Sequence, residues 1–260
     1  MLTQLYIISM FTLCLSQQTI ELENNNMVAI RGPIYKESAN KFFTDLKDFT
    51  GNELNIFITS PGGSVIEGMK MMDHINTLQQ QNIRVNCIGD FAASMAFIIL
   101  QACENRYTLN SGILMQHQMS LKLEDSIYSI QTYMKMIKDI NTHLDELQAK
   151  RINISYDEFV EKIMNDWWIA GITAKDDSVV DDIVQVKCHP ELYKGRTTYT
   201  FDTIIGPIDV IYSKCPLVRN PLKFMFKYEN NDSTNIKQEI LESFNMNTYF
   251  SGKRKIKSWF

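Results

Sequence analysis

The 260-residue chain is 45% hydrophobic and 22% charged, the balance of a globular protein with one sizeable core and room for an appendage. A net charge of −4 gives no general attraction to nucleic acid or anionic lipid. The five cysteines (Cys14, Cys87, Cys103, Cys188 and Cys215) form no CxxC pair and no His/Cys cluster of zinc spacing, which argues against a metal centre.

The first element is the apolar run LYIISMFTLCLS (5–16), followed by the polar QQTIELENNN. Residues 1–16 have the length of a signal peptide, and Cys14 and Ser16 satisfy a small-x-small cleavage pattern. No Lys or Arg precedes the run, so a packed N-terminal segment stands as the other reading. The run is short for a membrane-spanning helix, and no later stretch is long and apolar enough for one. NMVAIRGPI (26–34) alternates as a strand closed by Pro33, and ESANKFFTDLKDF (37–49) has helical spacing. NIFIT (55–59) reads as a strand running into the Pro61-Gly62-Gly63 turn. VIEGMKMMDHINTL (65–78) places Val65, Met69, Met72, Ile75 and Leu78 on one helix face. RVNCIGD (84–90) reads as a short buried strand, with Cys87 and later Cys103 as packed thiols. AASMAFIILQAC (92–103) is apolar nearly all round and therefore a buried helix. YTLNSGILMQHQ (107–118) reads as turn and strand.

The longest predicted helix spans 124–151, with apolar residues at 127, 130, 134, 137, 140, 144 and 147, close to a 3.5-residue period. Ser155 with Glu158 makes a capping box for a further short helix, and IVQVKC (183–188) is a last strand. This alternation predicts an α/β domain with a largely parallel sheet. The character changes near residue 188. TTYTFDTIIGPIDVIYSK (197–214) predicts a hairpin, 227–240 is polar before a marginal helix, and GKRKIKSWF (252–260) is a basic, solvated end. Residues 27–188 thus read as one domain and 189–260 as a C-terminal extension, with Cys188 and Cys215 free to pair in an oxidising compartment.

A serine among small apolar residues in FAASMAF (91–97), with a histidine in MQHQ (115–118), raises the question of nucleophilic catalysis. A serine hydroxyl needs an imidazole base, the base needs an orienting carboxylate, and the developing oxyanion needs preorganised N–H donors. A helix opening near Ser94 supplies free N–H groups, and glycines at 62 and 63 let backbone approach a substrate. Of eleven glycines, Gly62, Gly63, Gly68 and Gly89 fall in one window of 28 residues. The structural alternative is a serine that hydrogen-bonds at a helix start. His74 and His143 sit on helix faces, and His189 lies at the boundary with no visible partner. Asn153-Ile-Ser and Asn231-Asp-Ser are glycosylation sequons, meaningful only for a secreted chain.

FITSPGGSVIEGMKMMDHI, CIGDFAASMAFIIL and RYTLNSGILMQHQ together resemble the proteolytic subunit of Clp protease, over roughly residues 27–188. The long helix resembles that family's ring-interlocking handle, and DWWIAGITAKDDSVVD (166–181) matches the segment that opens on its triad aspartate. The resemblance implies the repeated ββα spiral of the Clp protease and crotonase superfamily, with a long handle helix and here a C-terminal extension. It implies Ser94 as nucleophile, His117 as general base, Asp166 as orienting carboxylate, and the backbone N–H groups of Gly63 and Met95 as oxyanion donors. Asp157, Asp176 and Asp177 compete with Asp166, which register favours. The segment after Gly63 and the strand near 116–122 would hold the substrate as an added strand. No metal or organic cofactor is implied. The expected partners are peptide or unfolded-protein substrates, further copies in a homo-oligomeric ring and an ATP-driven unfoldase, with no nucleic acid and no membrane. The expected location is cytoplasmic or organellar by family, or secreted if residues 1–16 are a signal.

The sequence departs from the family pattern at Ala96, at Asn110 directly after Leu109, at Met119 after the His-Gln pair and at Ser178. SLKLED replaces a glycine-rich substrate strand, and the extension has no counterpart. These changes bear on ring assembly and unfoldase docking. They motivate two rival expectations: a catalytically silent ring or scaffold component, and a crotonase-type acyl-CoA enzyme.

Overall fold

The computed structural model describes residues 17–227, except 48, 122, 204 and 205, together with 238. The apolar run at 5–16 with Cys14, the stretch at 228–240 apart from 238, the Asn231 sequon and the basic end at 252–260 lie outside the described residues.

Strand β1 (Thr19–Leu22) precedes β2 (Met27–Arg31), α1 (Lys36–Leu46), β3 (Glu53–Ser60), α2 (Val65–Gln80), β4 (Arg84–Ala93), α3 (Met95–Ala102) and β5 (Asn105–Gln116). Then come α4 (Ile127–Ile152), α5 (Tyr156–Ile163), β6 (Trp167–Ala170), β7 (Asp182–Ile183), β8 (Gln185–Cys188), α6 (Pro190–Lys194), β9 (Arg196–Phe201), β10 (Ile208–Ser213) and β11 (Lys223–Phe226). The central sheet runs β2-β3-β4-β5-β6; its first four strands are parallel and β6 is antiparallel to β5. This is the expected α/β architecture of repeated strand–helix units.

Alternation along the inner strands sorts their side chains onto two faces. Ile56, Ile58 and Cys87 pack with the helices, where Phe42, Met72, Ile75, Phe97 and Leu144 complete one core. Phe57, Ile88 and Leu109 point to the other face and meet Ile20, Leu22, Leu192 and Cys215. Both faces are therefore covered, which is why β3 and β4 read as nearly continuous apolar runs.

The structure differs from the sequence reading at several points. β4 extends through Ala93, so Ala92 and Ala93 are strand and the helix begins only at Met95. The turn expected inside 107–118 is an irregularity within one continuous β5. QTIELEN, read as merely polar, contains β1, which pairs in parallel with β8. The strand expected at 183–188 is split between β7, beside β5, and β8. The hairpin at 197–214 forms as expected and gains a third strand, β11. Cys87 and Cys103, read as separate thiols, form a disulfide, as do Cys188 and Cys215.

Arg106, at the start of β5, is a buried cation. It pairs with Asp181 and donates to Gln101 Oε1 at 2.9 Å and to the carbonyls of Arg151 and Ser178 at 2.8 and 3.2 Å. It thereby ties β5 to the end of α4 and to the loop before β7. Ser178, a glycine in the resembled family, has φ 57°, a backbone region that favours glycine.

Candidate active site

Ser94 stands between the last residue of β4 and the first of α3, with φ 55° and ψ −123°. The other non-glycine residues at positive φ among those described include Asn153, an ordinary left-handed helix cap with ψ 42°. Ser94 lies outside that basin. Such a conformation costs of order 1–3 kcal/mol and persists only where the surroundings over-determine it. Here the Ser94 N–H donates to the Met115 carbonyl at 2.9 Å, and the Ser94 carbonyl accepts from Phe97 and Ile98 at 2.9 and 3.2 Å. Gly62 closes the turn from below. A Cβ there would lie 2.6 Å from the Ala93 oxygen and 2.8 Å from both Met95 N and Ser94 Cβ.

Gly63, at φ 147°, packs equally tightly on the bridge to Ile34: a Cβ would meet the Ile34 oxygen at 2.3 Å. That bridge uses Ile34 N–H to Gly62 O at 2.8 Å and Ser64 N–H to Ile34 O at 2.7 Å, and leaves the Gly63 N–H out of the pairing. Met95 is the first residue of α3, so its N–H has no intrahelical acceptor. Through Gly62 the glycine turn packs directly on Ser94 and Met95, so a Gly63 N–H outside the Ile34 bridge and a Met95 N–H without intrahelical acceptor stand on neighbouring segments.

Ala93 pairs with Met115, and Gln116 pairs antiparallel with Trp167. His117 follows β5 and Asp166 precedes β6, so one further step along that ladder sets the two opposite each other. Ser94, His117 and Asp166 therefore occupy the ends of three adjacent strands, with neighbouring chains about 5 Å apart. Ser94 and His117 are half-buried and Asp166 is exposed. Among the described residues no hydrogen bond joins Ser94 Oγ to His117; catalytic hydrogen bonds are often open before substrate arrives.

The competing acids lie elsewhere in the fold. Asp157 lies in the first turn of α5, and Asp176 and Asp177 are exposed beyond β6. His74 packs edge-on against Phe42 and Phe43, and His143 is exposed. His189, for which no partner was expected, accepts from the Glu191 N–H at the start of α6. Trp167 lies against Phe97, with ring centroids 6.3 Å apart.

Gln116 is a residue the sequence did not single out. Buried beside His117, its side-chain oxygen accepts from the His117 N–H at 3.1 Å and its amide donates to Gln148 of α4. Gln148 in turn donates to the Leu144 carbonyl at 3.0 Å. The long helix thereby braces the end of β5. Two buried glutamines on separate elements carry no sequence signal of their pairing.

Residues 117–121, where a substrate strand was expected, are irregular. They border a cavity of about 410 Å³ lined by Gln118, Met119, Leu121, Met134, Asp145 and Ile163 among others. Burial pushes the Asp145 carboxyl up to about 6 from an ordinary 3.8, partly offset by the Asn141 amide donating to it at 2.7 Å. A carboxyl that holds its proton more tightly when folded stabilises the fold fully below about pH 3.8, and loses that contribution as pH rises through about 6. Asp145→Asn is accordingly expected to raise stability at pH 7.5 by about 1–2 kcal/mol, the full linkage value being reduced by solvent screening at the cavity. Thermal unfolding of both proteins checks this, with the difference vanishing near pH 4.

The family model described as Clp protease matches residues 15–187. The chain belongs to the Clp protease family, and it is a peptidase of that class, a hydrolase acting on protein substrates in an oligomeric assembly. The match ends at β8, so α6 and β9–β11 lie beyond it. Among the described residues no helix is long and apolar enough to cross a membrane, and no cluster of His, Cys, Asp or Glu has the make-up of a metal site.

Proposed function

We propose that the chain is a serine-type endopeptidase in which Ser94 is the nucleophile, His117 the general base and Asp166 its orienting carboxylate. The convergence of these three residues on adjacent strand ends, with Ser94 on a strained strand-to-helix turn, carries the reading. Ser94 Oγ attacks the peptide carbonyl while His117 takes its proton. The Gly63 and Met95 N–H groups hold the oxyanion. His117 then protonates the leaving amine, and a water activated by the same imidazole releases the acyl group from Ser94. Asp166 fixes the imidazole tautomer and stabilises its cationic form. The cavity lined by Gln118 and Met119, which follow His117 in the chain, receives a side chain flanking the scissile bond.

The finer assembly reading, a homo-oligomeric ring fed by an ATP-driven unfoldase, rests on family membership alone. Hydrolysis of short peptides needs no nucleotide, so it tests the chemistry separately. A fluorophosphonate probe is expected to label the wild-type chain at Ser94, and His117→Ala to abolish that labelling. A folded wild-type chain that remains unlabelled overturns the proposal in favour of a silent component.

A further inference from the structure

The strands that carry Ser94 and His117 are held together from the side opposite the helices by one residue of the C-terminal segment. β4 contains a bulge. Ile58 and Thr59 pair with Gly89 and Phe91, and those two pair with Thr108 and Ile113, so Asp90 is left out of both ladders. The extra residue shifts the alternation: Cys87 faces the helices before the bulge and Ala92 after it. The bulge therefore decides which way the chain points when it reaches Ser94, four residues on. β5 carries the matching irregularity at residues 109–112.

Asp90 is only 4% exposed. Burial holds its carboxyl above the ordinary carboxylate range, and Arg219 offsets part of that rise. Arg219 Nε donates to Asp90 Oδ2 at 2.8 Å, one terminal nitrogen donates to Oδ1 at 2.5 Å, and the same nitrogen donates to Ser111 Oγ at 3.2 Å. The guanidinium thus clasps the bulges of both strands at once. Thr59 adds a long contact to Asp90 at 3.5 Å, and Arg31 contributes attraction at a distance.

Arg219 is itself held in place. Arg31 of β2 donates to the carbonyls of Val218 and Ser213 at 3.0 and 2.9 Å and lies over the Tyr212 ring. The Tyr199 hydroxyl donates to the Ala29 carbonyl at 2.7 Å, and the Cys188–Cys215 disulfide closes the segment onto β8.

We infer that Arg219 is a positioning residue for the nucleophile turn: its clasp on Asp90 and Ser111 sets the β4 and β5 bulges so that Ser94 and His117 meet in working register. A buried carboxylate without that partner would protonate or swing toward water, and the bulge would move with it. Displacements of about 1 Å in a reacting group cost up to about 100-fold in rate. The inference rests on the proposed role of Ser94.

The test uses the full-length chain in its assembled form, with fluorophosphonate labelling of Ser94 and hydrolysis of one fluorogenic peptide. Arg219→Gln is expected to lower the labelling rate and kcat about 10- to 100-fold with KM within about twofold. Arg219→Lys, which keeps a charge on Asp90 but cannot span both bulges, is expected to fall between Gln and wild type. Should Arg219→Gln not fold, Arg219→Lys decides alone, since its kcat must drop at unchanged KM. Wild-type kcat in folded Arg219→Lys and Arg219→Gln, or a change confined to KM, overturns the inference while leaving the Ser94 assignment standing. An unlabelled wild-type chain overturns both.

Discussion

Ser94→Ala is expected to lower peptide hydrolysis by about 10⁴- to 10⁶-fold, the range seen when a triad nucleophile is lost while oxyanion donors and binding groups remain. The fold should barely respond. Ser94 is half-buried, its side chain caps no helix hydrogen bond, and alanine meets the same backbone conformation. The expected stability change is within about 1 kcal/mol. Activity and thermal unfolding of the same preparation check both halves. Residual hydrolysis above about 1% of wild type would point to a different nucleophile or to a contaminating peptidase.

Gly62→Ala is expected to strike the same site without touching any reacting side chain. Gly62 has φ 88°, and a methyl group there would press on the Ala93 carbonyl, Met95 N and Ser94 Cβ, all on the nucleophile turn. None of these is the end of a flexible side chain, so the turn itself must shift. The expected cost is about 2–3 kcal/mol of stability from backbone strain, and about 100-fold in Ser94 labelling as the turn and the Met95 donor move. Gly195→Ala provides the contrast. Gly195 has φ −66°, and the atoms nearest its added methyl are Cδ, Cγ and Cβ of Lys214 at 2.7, 3.0 and 3.2 Å, none of them on the nucleophile turn. It should leave Ser94 labelling unchanged, whatever its cost in stability. Equal effects from the two substitutions would show that Gly62 matters only as a generic packing position.

Much of the site was legible in the sequence because its parts are local. SPGG and AASM each encode a sharp backbone event within a few residues, and the glycines at 62 and 63 are required by contacts shorter than any Cβ allows. The long helix was legible because its apolar period persists over many turns, and Ser155 announces the helix after it by accepting from the Glu158 N–H at 3.2 Å. The end of β4 was misread for a physical reason. Ala92 and Ala93 are as apolar as the helix that follows, and a strand buried on both faces has no alternation to betray it. β1 was missed because it is short, set between two glutamines and the run Glu23-Asn24-Asn25-Asn26, and paired with a partner far along the chain.

By itself the sequence determined the α/β layering and the glycine-rich turn before α2, which depend on periodicity and on a compact motif; the three residues proposed for catalysis were named through the resemblance to the Clp protease family. Tertiary structure decided the rest: that His117 and Asp166 end neighbouring antiparallel strands, that Gln116 leans on Gln148, and that Arg219 reaches across to Asp90. These are pairings between residues 32 to 129 positions apart. No local propensity encodes them, because a buried carboxylate finds its partner only once the sheet, the bulge and the disulfide-closed segment have brought the guanidinium to it.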